Sequence, residues 1–404
     1  MAFNIKEQWK QINKDTDKVL WIIVILLAIF SILAVFSTSN KLNVAGSSFL
    51  FLLSEHIVYV LLGIGLMFVL QKFPPYKAYG IHGRFFLILA IVLLVATLFF
   101  GVSEGGSKRS ISVLGHKIQT IHMIELCIVI HFSSWLKRVG DGINDIKHVY
   151  IPMLLYILVC CLLIATQKTS ASLILGFTLV VLLFLSQLKL KYFLSTILIV
   201  GVAAGLGLSV LLSDAVNPKS ENAIFSRLGT MKVRIESFLD KDETHKDIIT
   251  TEAAIATSRF LPMPGASVHS ASVKESYSDY IFAFFVEEYG ILFGIIVVLL
   301  YLSLFYRTIK ISKYLHNDFG KYLALGLGFM ITFQAITHIC VCVGVFPATG
   351  ETLPMFSKGG ISIVTTSVEI GILMNISRVA RQNKIKEKEI KSEEKQLKSE
   401  VENE

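Results

Sequence analysis

Residues 19–37 read VLWIIVILLAIFSILAVFS, a run of nineteen residues without one charged side chain. A transmembrane helix needs about 20 mainly apolar residues, because it rises about 1.5 Å per residue through a hydrocarbon core about 30 Å thick. Nine more runs of similar character follow along the chain. The sequence therefore predicts an all-α polytopic membrane protein with about ten transmembrane helices: 19–37, 49–71, 84–101, 118–136, 150–166, 169–187, 191–213, 279–305, 321–346 and 357–377.

The distribution of basic residues predicts how these spans are oriented. The chain carries a net charge of +8, and 24 of its 38 Lys and Arg residues lie on the side that would hold both termini. Cytoplasmic loops carry an excess of Lys and Arg, so both termini are predicted to be cytoplasmic. The chain is 53% hydrophobic and 17% charged, whereas a soluble domain has about 25% charged residues. The positive charge is therefore a sign of topology, and it gives no reason to expect a nucleic-acid partner.

The same pattern divides the chain into three parts. Residues 1–18 form a polar cytoplasmic leader, residues 19–377 the ten-span membrane domain, and residues 378–404 a charged cytoplasmic tail. The membrane domain contains one large extracytoplasmic loop, 214–278, and a loop of that length is usually functional. An amphipathic helix on the outer membrane surface is predicted within this loop, because apolar residues repeat there at helical spacing: Met231, Ile235, Phe238 and Leu239.

Residues 274–290, KESYSDYIFAFFVEEYG, place carboxylates at the mouth of the eighth span and inside it. An acid at the centre of a membrane helix costs roughly 2.5–3.5 kcal/mol, so such residues usually mark a functional site. Asp279 lies at the outer boundary, where it either takes part in chemistry or caps the start of the span. Glu287 and Glu288 lie two turns deeper and are predicted to support the structure by pairing with a cation of another helix.

Two further polar segments face the same side. Residues 347–360, PATGETLPMFSKGG, contain two prolines and three glycines, so they do not form a regular helix. Irregular backbone at membrane depth is tolerated only where it lines a cavity or is buried in protein. Its free amides, together with Lys358, are predicted to hold an anion. Residues 105–109, GGSKR, form an outer turn between spans three and four.

At these motifs the chain resembles the SEDS family (FtsW, RodA and SpoVE proteins), the multi-pass peptidoglycan glycosyltransferases. Residues 278–283, SDYIFA, followed by 287–290, EEYG, are similar to the family pattern [ST]-D-F-I-F-A and E-E-x-G. Residues 234–239, RIESFL, resemble its R-I/L-x-x-F-L element. The last-loop pattern P-x-T-G-x-x-L-P-x-x-S-x-G-G is matched in full at Pro347, Thr349, Gly350, Leu353, Pro354, Ser357, Gly359 and Gly360.

The resemblance covers about residues 15–380, and its departures are local. The family's G-x-x-R-W turn has Ser110 in place of Trp, and its Q-P-S-E element continues here as Thr120-Ile121-His122 after Gln119. The family's Q-P-D-L-G-T turn is Gln167-Lys-Thr-Ser-Ala-Ser172, so its acid is missing, and His338 replaces an Asn. The opening residues 17–21 and the motif at 36–39 are most similar to division members of the Bacteroidetes branch.

The resemblance implies an enzyme that joins lipid-linked disaccharides, with Asp279 as the general base. It implies that the leaving diphosphate and the sugars are bound by Lys108, Arg109, Arg234, Ser357 and Lys358. Glu275 and Ser278 flank Asp279, and they are expected to position it or a divalent cation, Mg²⁺ or Mn²⁺; no cofactor is required by the pattern itself. The segment that contains Asp279 and the last loop would be supported by Glu287, Glu288, Pro347, Thr349, Gly350, Pro354, Gly359 and Gly360.

The resemblance also implies partners and a location. The substrate would be lipid II, the partner a class B penicillin-binding protein beside other divisome membrane proteins, and the site the inner membrane at the division septum. Three alternatives stay open: an elongation polymerase, a flippase that moves the lipid-linked precursor, and a catalytically silent division scaffold. A broken segment and intramembrane acids also suit a transporter. The carboxylate of Asp279 argues against a scaffold.

Overall fold

A computed structural model describes residues 16–41, 49–104, 107–113, 116–212, 229, 231–236, 238, 246–263, 265, 267–273 and 276–401. Its first helices are α1 (Lys18–Lys41), α2 (Phe49–Leu70), α3 (Tyr76–Ile81), α4 (Gly83–Phe100), α5 (Ile121–Val139), α6 (Ile151–Ala165) and α7 (Thr169–Leu185). They are followed by α8 (Leu190–Leu212), α9 (Lys246–Ala256), α10 (Ile281–Tyr289), α11 (Ile291–Lys313), α12 (Asp318–Cys342) and α13 (Gly360–Val401). Three strands, β1 (Val102–Glu104), β2 (Ser107–Val113) and β3 (His116–Gln119), lie between α4 and α5.

The predicted class, a polytopic helical membrane protein, is confirmed. Within the described ranges seven helical segments are long and apolar enough to cross a membrane, and they include α1, α2, α4, α6, α11, α12 and α13. The helices α7 and α8 are apolar but shorter by this measure. Helix α5 lies at the fourth predicted span, and fourteen of its nineteen residues are buried inside the protein. It tolerates polar side chains because it faces protein instead of lipid.

The eighth predicted span, 279–305, is two helices and not one. Helix α10 ends at Tyr289, and α11 begins at Ile291, because Gly290 has a φ of +87°. A Cβ atom at Gly290 would lie 2.8 Å from the carbonyl oxygen of Phe260. The outer loop fills the break, since the amide of Ile291 donates to the Arg259 oxygen at 2.9 Å. The break therefore ties the loop to the membrane domain.

A small antiparallel sheet, in the order β1-β2-β3, replaces the simple turn that was predicted between spans three and four. Ser110 pairs with Gln119, and Ile111 pairs with Ile118. Because residues 116–119 belong to this sheet, the following helix begins at Ile121 and not at residue 118. The sheet places β2, which contains two of the predicted substrate contacts, beside α4.

Two other helices refine the predicted divisions. Helix α13 runs without interruption from Gly360 to Val401, so the tenth span and most of the tail are one helix. Residues 231–236 are helical, as predicted, but Lys232 is buried and Val233 is exposed. The simple amphipathic pattern therefore does not hold at Lys232, which the spacing of the apolar residues would place on the polar face of the helix. Leu239 lies outside the described residues.

Candidate functional site

Asp279 lies in the turn that precedes α10, where the outer loop meets the segment 347–360. Its side chain is half-buried, and the hydroxyl of Ser278 donates to its Oδ1 atom at 3.0 Å. Its Oδ2 atom faces Gly350, because a Cβ atom at that position would lie 3.3 Å away. The N-cap residue of α10 is Tyr280 and not Asp279. The carboxylate therefore lies against the last loop instead of taking the N-cap position.

Residues 351–357 of the last loop are buried in protein, and the flanking residues 347–350 and 358–360 are half-buried. The Ser357 hydroxyl donates to the Ser278 oxygen at 2.7 Å and accepts from the Leu353 amide at 2.8 Å. The Tyr301 hydroxyl donates to the Pro354 oxygen at 2.6 Å. Ser357 is 2% exposed. It was predicted to contact substrate, but its buried hydroxyl joins the two loops instead, which makes it a positioning residue.

Lys358 follows directly and is held on three sides. Its amide donates to the Tyr277 oxygen at 3.0 Å, and its Nζ atom lies 3.2 Å from Oε2 of Glu55 on α2. The same ammonium lies 5.5 Å from the centre of the Tyr277 ring. A cation over an aromatic ring is attracted by the ring's quadrupole. Lys358 therefore supplies a fixed positive charge beside Tyr277, which precedes Asp279 by two positions in the chain.

Arg234 lies on the other side of the last loop and borders a cavity of about 120 Å³. Its Nη1 atom donates to the Ala348 oxygen at 3.3 Å. The described lining residues contain two cations and three hydroxyls but no acid, which suits an anion. They are Lys168, Thr169, Ser170, Leu173, Met231, Arg234, Ile235, Pro347, Ala348 and Thr349.

A buried ion pair beside this cavity was missed by the sequence analysis. The Nζ atom of Lys168 lies 2.9 Å from Oε2 of Glu351, and the side chains are 7% and 1% exposed. The Ser170 hydroxyl donates to Oε1 of Glu351 at 2.7 Å. Burial raises the pKa of Glu351, but the positive charge and hydrogen bond of Lys168, with help from Ser170, outweigh it and leave the pKa below 4.5. Both residues lie between predicted spans, and no local signal in the sequence relates one to the other.

Further polar residues lie under the pair, on the central helices. Nδ1 of His122 lies 3.1 Å from Oε2 of Glu125 on α5, and both residues are buried. Nδ1 of His338 on α12 lies 2.7 Å from the backbone carbonyl oxygen of Glu351. Glu369 on α13 is 4% exposed. His122 also acts electrostatically on Glu351, so the departures from the family pattern at 122, 168 and 338 all lie around this residue.

Glu287 and Glu288 support the outer loop, but their partners differ from the prediction. Oε1 of Glu287 accepts from the Val268 amide at 3.0 Å and lies 2.6 Å from Nδ1 of His269. Glu288 accepts from the amides of Gly265 and Ser267. A tight loop presents several amides in one direction, and buried carboxylates are well suited to accept them. Both acids therefore accept from amides of the outer loop, and Glu287 also contacts the His269 imidazole, whereas the prediction was a cation from another helix.

Three predicted site residues, Lys108, Arg109 and Glu275, are described only in their backbone or not at all. The backbones of Lys108 and Arg109 lie in β2, and their side chains lie outside what the structure describes. Glu275 lies outside the described residues. Within the described ranges, no three His, Cys, Asp or Glu side chains group as metal ligands. A divalent cation beside Asp279 stays a prediction.

The arrangement suits a transfer reaction with an anionic leaving group. Asp279 offers a proton acceptor, and residues 347–350 separate it from a cavity with two cations. A general base must lie within hydrogen-bond reach of the proton that it takes. Fixed cations stabilise charge that develops on a leaving group. A candidate base and two cations therefore border the same loop segment, residues 347–350.

Comparison with known proteins gives extended matches. The cell cycle protein family of FtsW, RodA and SpoVE matches residues 17–382. A probable peptidoglycan glycosyltransferase FtsW of Marinomonas mediterranea is 28% identical over 396 residues, which cover 94% of this chain and 92% of that protein. The protein described in the same words from Bacillus subtilis is 25% identical over 391 residues, or 94% of each chain.

Solved structures share the fold. One is a chain of the structure titled "Structural coordination of polymerization and crosslinking by a peptidoglycan synthase complex". That chain matches with a TM-score of 0.72 at 21% identity, covering 90% of this chain and 98% of that one. The rod shape determining protein RodA of Thermus thermophilus matches with a TM-score of 0.61 at 18% identity, covering 90% and 97%. At these identities the likeness concerns the helical membrane fold.

Proposed function

The chain belongs to the FtsW, RodA and SpoVE family of cell cycle proteins, and from this premise we propose that it is a peptidoglycan glycosyltransferase. It polymerises lipid II into glycan strands at the outer face of the inner membrane. The relatives named as probable peptidoglycan glycosyltransferases span nearly its whole length. That those relatives are FtsW proteins favours a role in septal division over one in elongation.

In this reaction Asp279 acts as the general base. It takes the proton from the 4-hydroxyl of the acceptor sugar while that oxygen forms a bond with the anomeric carbon of the growing strand. The bond from that carbon to the lipid diphosphate breaks, and the diphosphate leaves with the electron pair. A positioned base contributes typically 10²–10⁴-fold to such a step. The observation that carries this role is the half-buried Asp279 carboxylate, which faces Gly350 beside a cavity with cations on its wall.

Arg234 and Lys358 are the cations proposed to bind the diphosphate. The guanidinium of Arg234 borders the cavity, and it suits a phosphate because its donors form a planar fork. Lys358 is held by Glu55 and Tyr277 near the Asp279 turn. Lys108, Arg109 and Glu275 are proposed to complete the substrate contacts, and a Mg²⁺ or Mn²⁺ ion beside Glu275 and Asp279 is part of the same proposal.

The protein is proposed to work with a class B penicillin-binding protein that crosslinks the new strands, together with other divisome membrane proteins. Support comes from the structural match to a chain of a peptidoglycan synthase complex. The chain itself is a multi-span membrane protein. Its place of action is proposed to be the division septum.

A second candidate function is transport of the lipid-linked precursor. It is favoured by one observation, since Glu125 and Glu369 are buried acids on two central helices, and transporters use such groups in relays. Polymerisation is preferred because Asp279 lies at the outer boundary, where the sugar is in water while its lipid remains in the bilayer.

The test is glycan synthesis from labelled lipid II by the purified chain with its candidate partner. Native protein is compared with Asp279→Asn, and with Asp318→Asn as a control, because Asp318 is an exposed carboxylate paired with Lys321 at the start of α12. Long glycans from the native and control proteins, and a loss of at least about 100-fold with Asp279→Asn, are expected. Full activity of Asp279→Asn would end the base assignment. Lipid II crossing liposomes without any glycan synthesis would favour transport.

A further inference from the structure

We propose that Lys168 is a further diphosphate-binding residue of this chain and that Glu351 positions it. The proposal rests on the proposed function, because the diphosphate is that of the lipid-linked substrate. Lys168 lines the cavity of about 120 Å³ together with Arg234. It also lines a smaller one of about 30 Å³ with Gln119, Gln167 and Gly350. Among the described lining residues it is therefore the one that the two cavities share.

The ammonium of Lys168 has donors to spare. Its side chain is 7% exposed, and within the described residues its ammonium has one recorded partner, Oε2 of Glu351 at 2.9 Å. A lysine ammonium carries three N–H donors. A buried donor without an acceptor is costly, so the remaining donors favour an anionic ligand or water in the adjoining cavities.

Glu351 is built to hold the lysine and not to bind the ligand itself. Ser170 donates to its Oε1 atom, Lys168 binds its Oε2 atom, and its side chain is 1% exposed. Its carboxylate is absent from the described lining of both cavities. The negative charge thus lies behind the lysine, while the positive charge lines the wall.

The sequence of the turn agrees with a local gain of positive charge. The related family turn reads Q-P-D-L-G-T, whereas residues 167–172 here read QKTSAS. The turn has lost an acid, where Thr169 now stands, and has gained a cation at Lys168. Because Thr169 and Ser170 also line the larger cavity, both changes favour a phosphate at this wall. This chain therefore has its own cation in addition to Arg234.

The experiment measures equilibrium binding of undecaprenyl diphosphate to the complete protein in nanodiscs of neutral lipid, without turnover, beside the KM and kcat for lipid II. The variants are Lys168→Met, Lys168→Arg and the double variant Lys168→Met with Glu351→Gln, which leaves no unpaired buried charge. Lys232→Met is the matched control, because Lys232 is also buried and lies near Glu236 but does not line the cavity.

Lys168→Met and the double variant should bind undecaprenyl diphosphate roughly 10–100-fold more weakly, as expected for a lost charge-assisted hydrogen bond. The KM for lipid II should rise more than kcat falls. Lys168→Arg should restore most of the affinity, and Lys232→Met should bind like the native protein. The double variant keeps the test decisive if Lys168→Met alone fails to fold.

Native affinity in the folded double variant would overturn the proposal. So would a loss confined to kcat. A second arm replaces the probe with phosphatidylglycerol vesicles, which offer a phosphate headgroup without a diphosphate; loss of that binding alone would assign the site to membrane lipid and overturn the diphosphate assignment. If native protein bound undecaprenyl diphosphate through Lys168 but made no glycan, the proposed function would fail while the site stood.

Discussion

The Oδ2 atom of Asp279 faces Gly350 so closely that a Cβ atom added at Gly350 would lie 3.3 Å from it. Gly350 also has a φ of +63°, in the left-handed region. Two separate demands, a backbone conformation and a close approach, therefore meet at one glycine. A side chain there disturbs the carboxylate as well as the loop.

Gly350→Ala is expected to lower polymerisation by up to about 10-fold, because the added Cβ requires Asp279 or the loop to shift by a few tenths of an ångström, and a misplacement of about 1 Å costs roughly 100-fold. The left-handed backbone adds roughly 1–2 kcal/mol of destabilisation. Glycan synthesis and thermal unfolding in detergent measure the two effects. Gly140→Ala is the control, since Gly140 has a φ of +51° with no atom within 4 Å of an added Cβ. Equal activity in both variants would show that the approach to Asp279 does not matter.

Ser357→Ala is expected to loosen the contact between the last loop and the Asp279 turn. It leaves the Leu353 amide and the Ser278 oxygen without their buried partner. Such a loss costs about 1–3 kcal/mol. The measurement is the unfolding temperature together with polymerisation at saturating lipid II. Ser312→Ala removes only a local bond to the Ile309 oxygen and should leave both unchanged; a Ser357→Ala protein with native values would show that the bridge is dispensable.

Glu287→Gln is expected to free the loop at residues 267–269. An amide group presents a donor where Glu287 now accepts from Ser267, Val268 and His269. Hydrogen exchange at these loop amides should accelerate by roughly 5–150-fold, which corresponds to a loss of about 1–3 kcal/mol of local stability. Glu389→Gln, in the exposed part of α13, is the control. Unchanged protection of the loop in Glu287→Gln would refute the anchoring role.

The pair of Lys168 and Glu351 predicts a pH dependence of stability. Lys168 and its neighbours hold the pKa of Glu351 below 4.5, so the contribution of the pair is present above about pH 4.5 and is lost as the pH falls through the folded-state value. In Lys168→Met, burial is expected to dominate and to raise that pKa. At neutral pH the buried acid of the variant is then either charged without a partner or protonated, and either state lowers the stability.

The stability deficit of Lys168→Met should therefore be large near pH 7, roughly 3–5 kcal/mol as for a broken buried pair, and should shrink as the pH falls through the depressed folded-state pKa of Glu351. Thermal unfolding across this range measures it. Adding Glu351→Gln should remove the pH dependence of the deficit. A deficit that stayed constant between these pH values would mean that Glu351 does not titrate as the ion pair requires.

The membrane class and the family could be predicted because their signals are local. A run such as 19–37 has no stable place outside hydrocarbon, and the matched motif at 347–360 is contiguous in the chain. The break at Gly290 could not be predicted, since its cause is the backbone of Phe260, thirty residues away. The roles of Ser357 and Glu287 were predicted incompletely for the same reason, because their partners come from the other loop.

The sequence by itself determined which residues are apolar, where the acids lie relative to them, and to which family the chain belongs. Only the tertiary structure decided which of the charged groups meet. Lys168 and Glu351 are 183 positions apart, yet their charged atoms lie 2.9 Å apart. The physical reason is that a buried charge must find a partner, and the packing of distant helices and loops determines which partner is within reach.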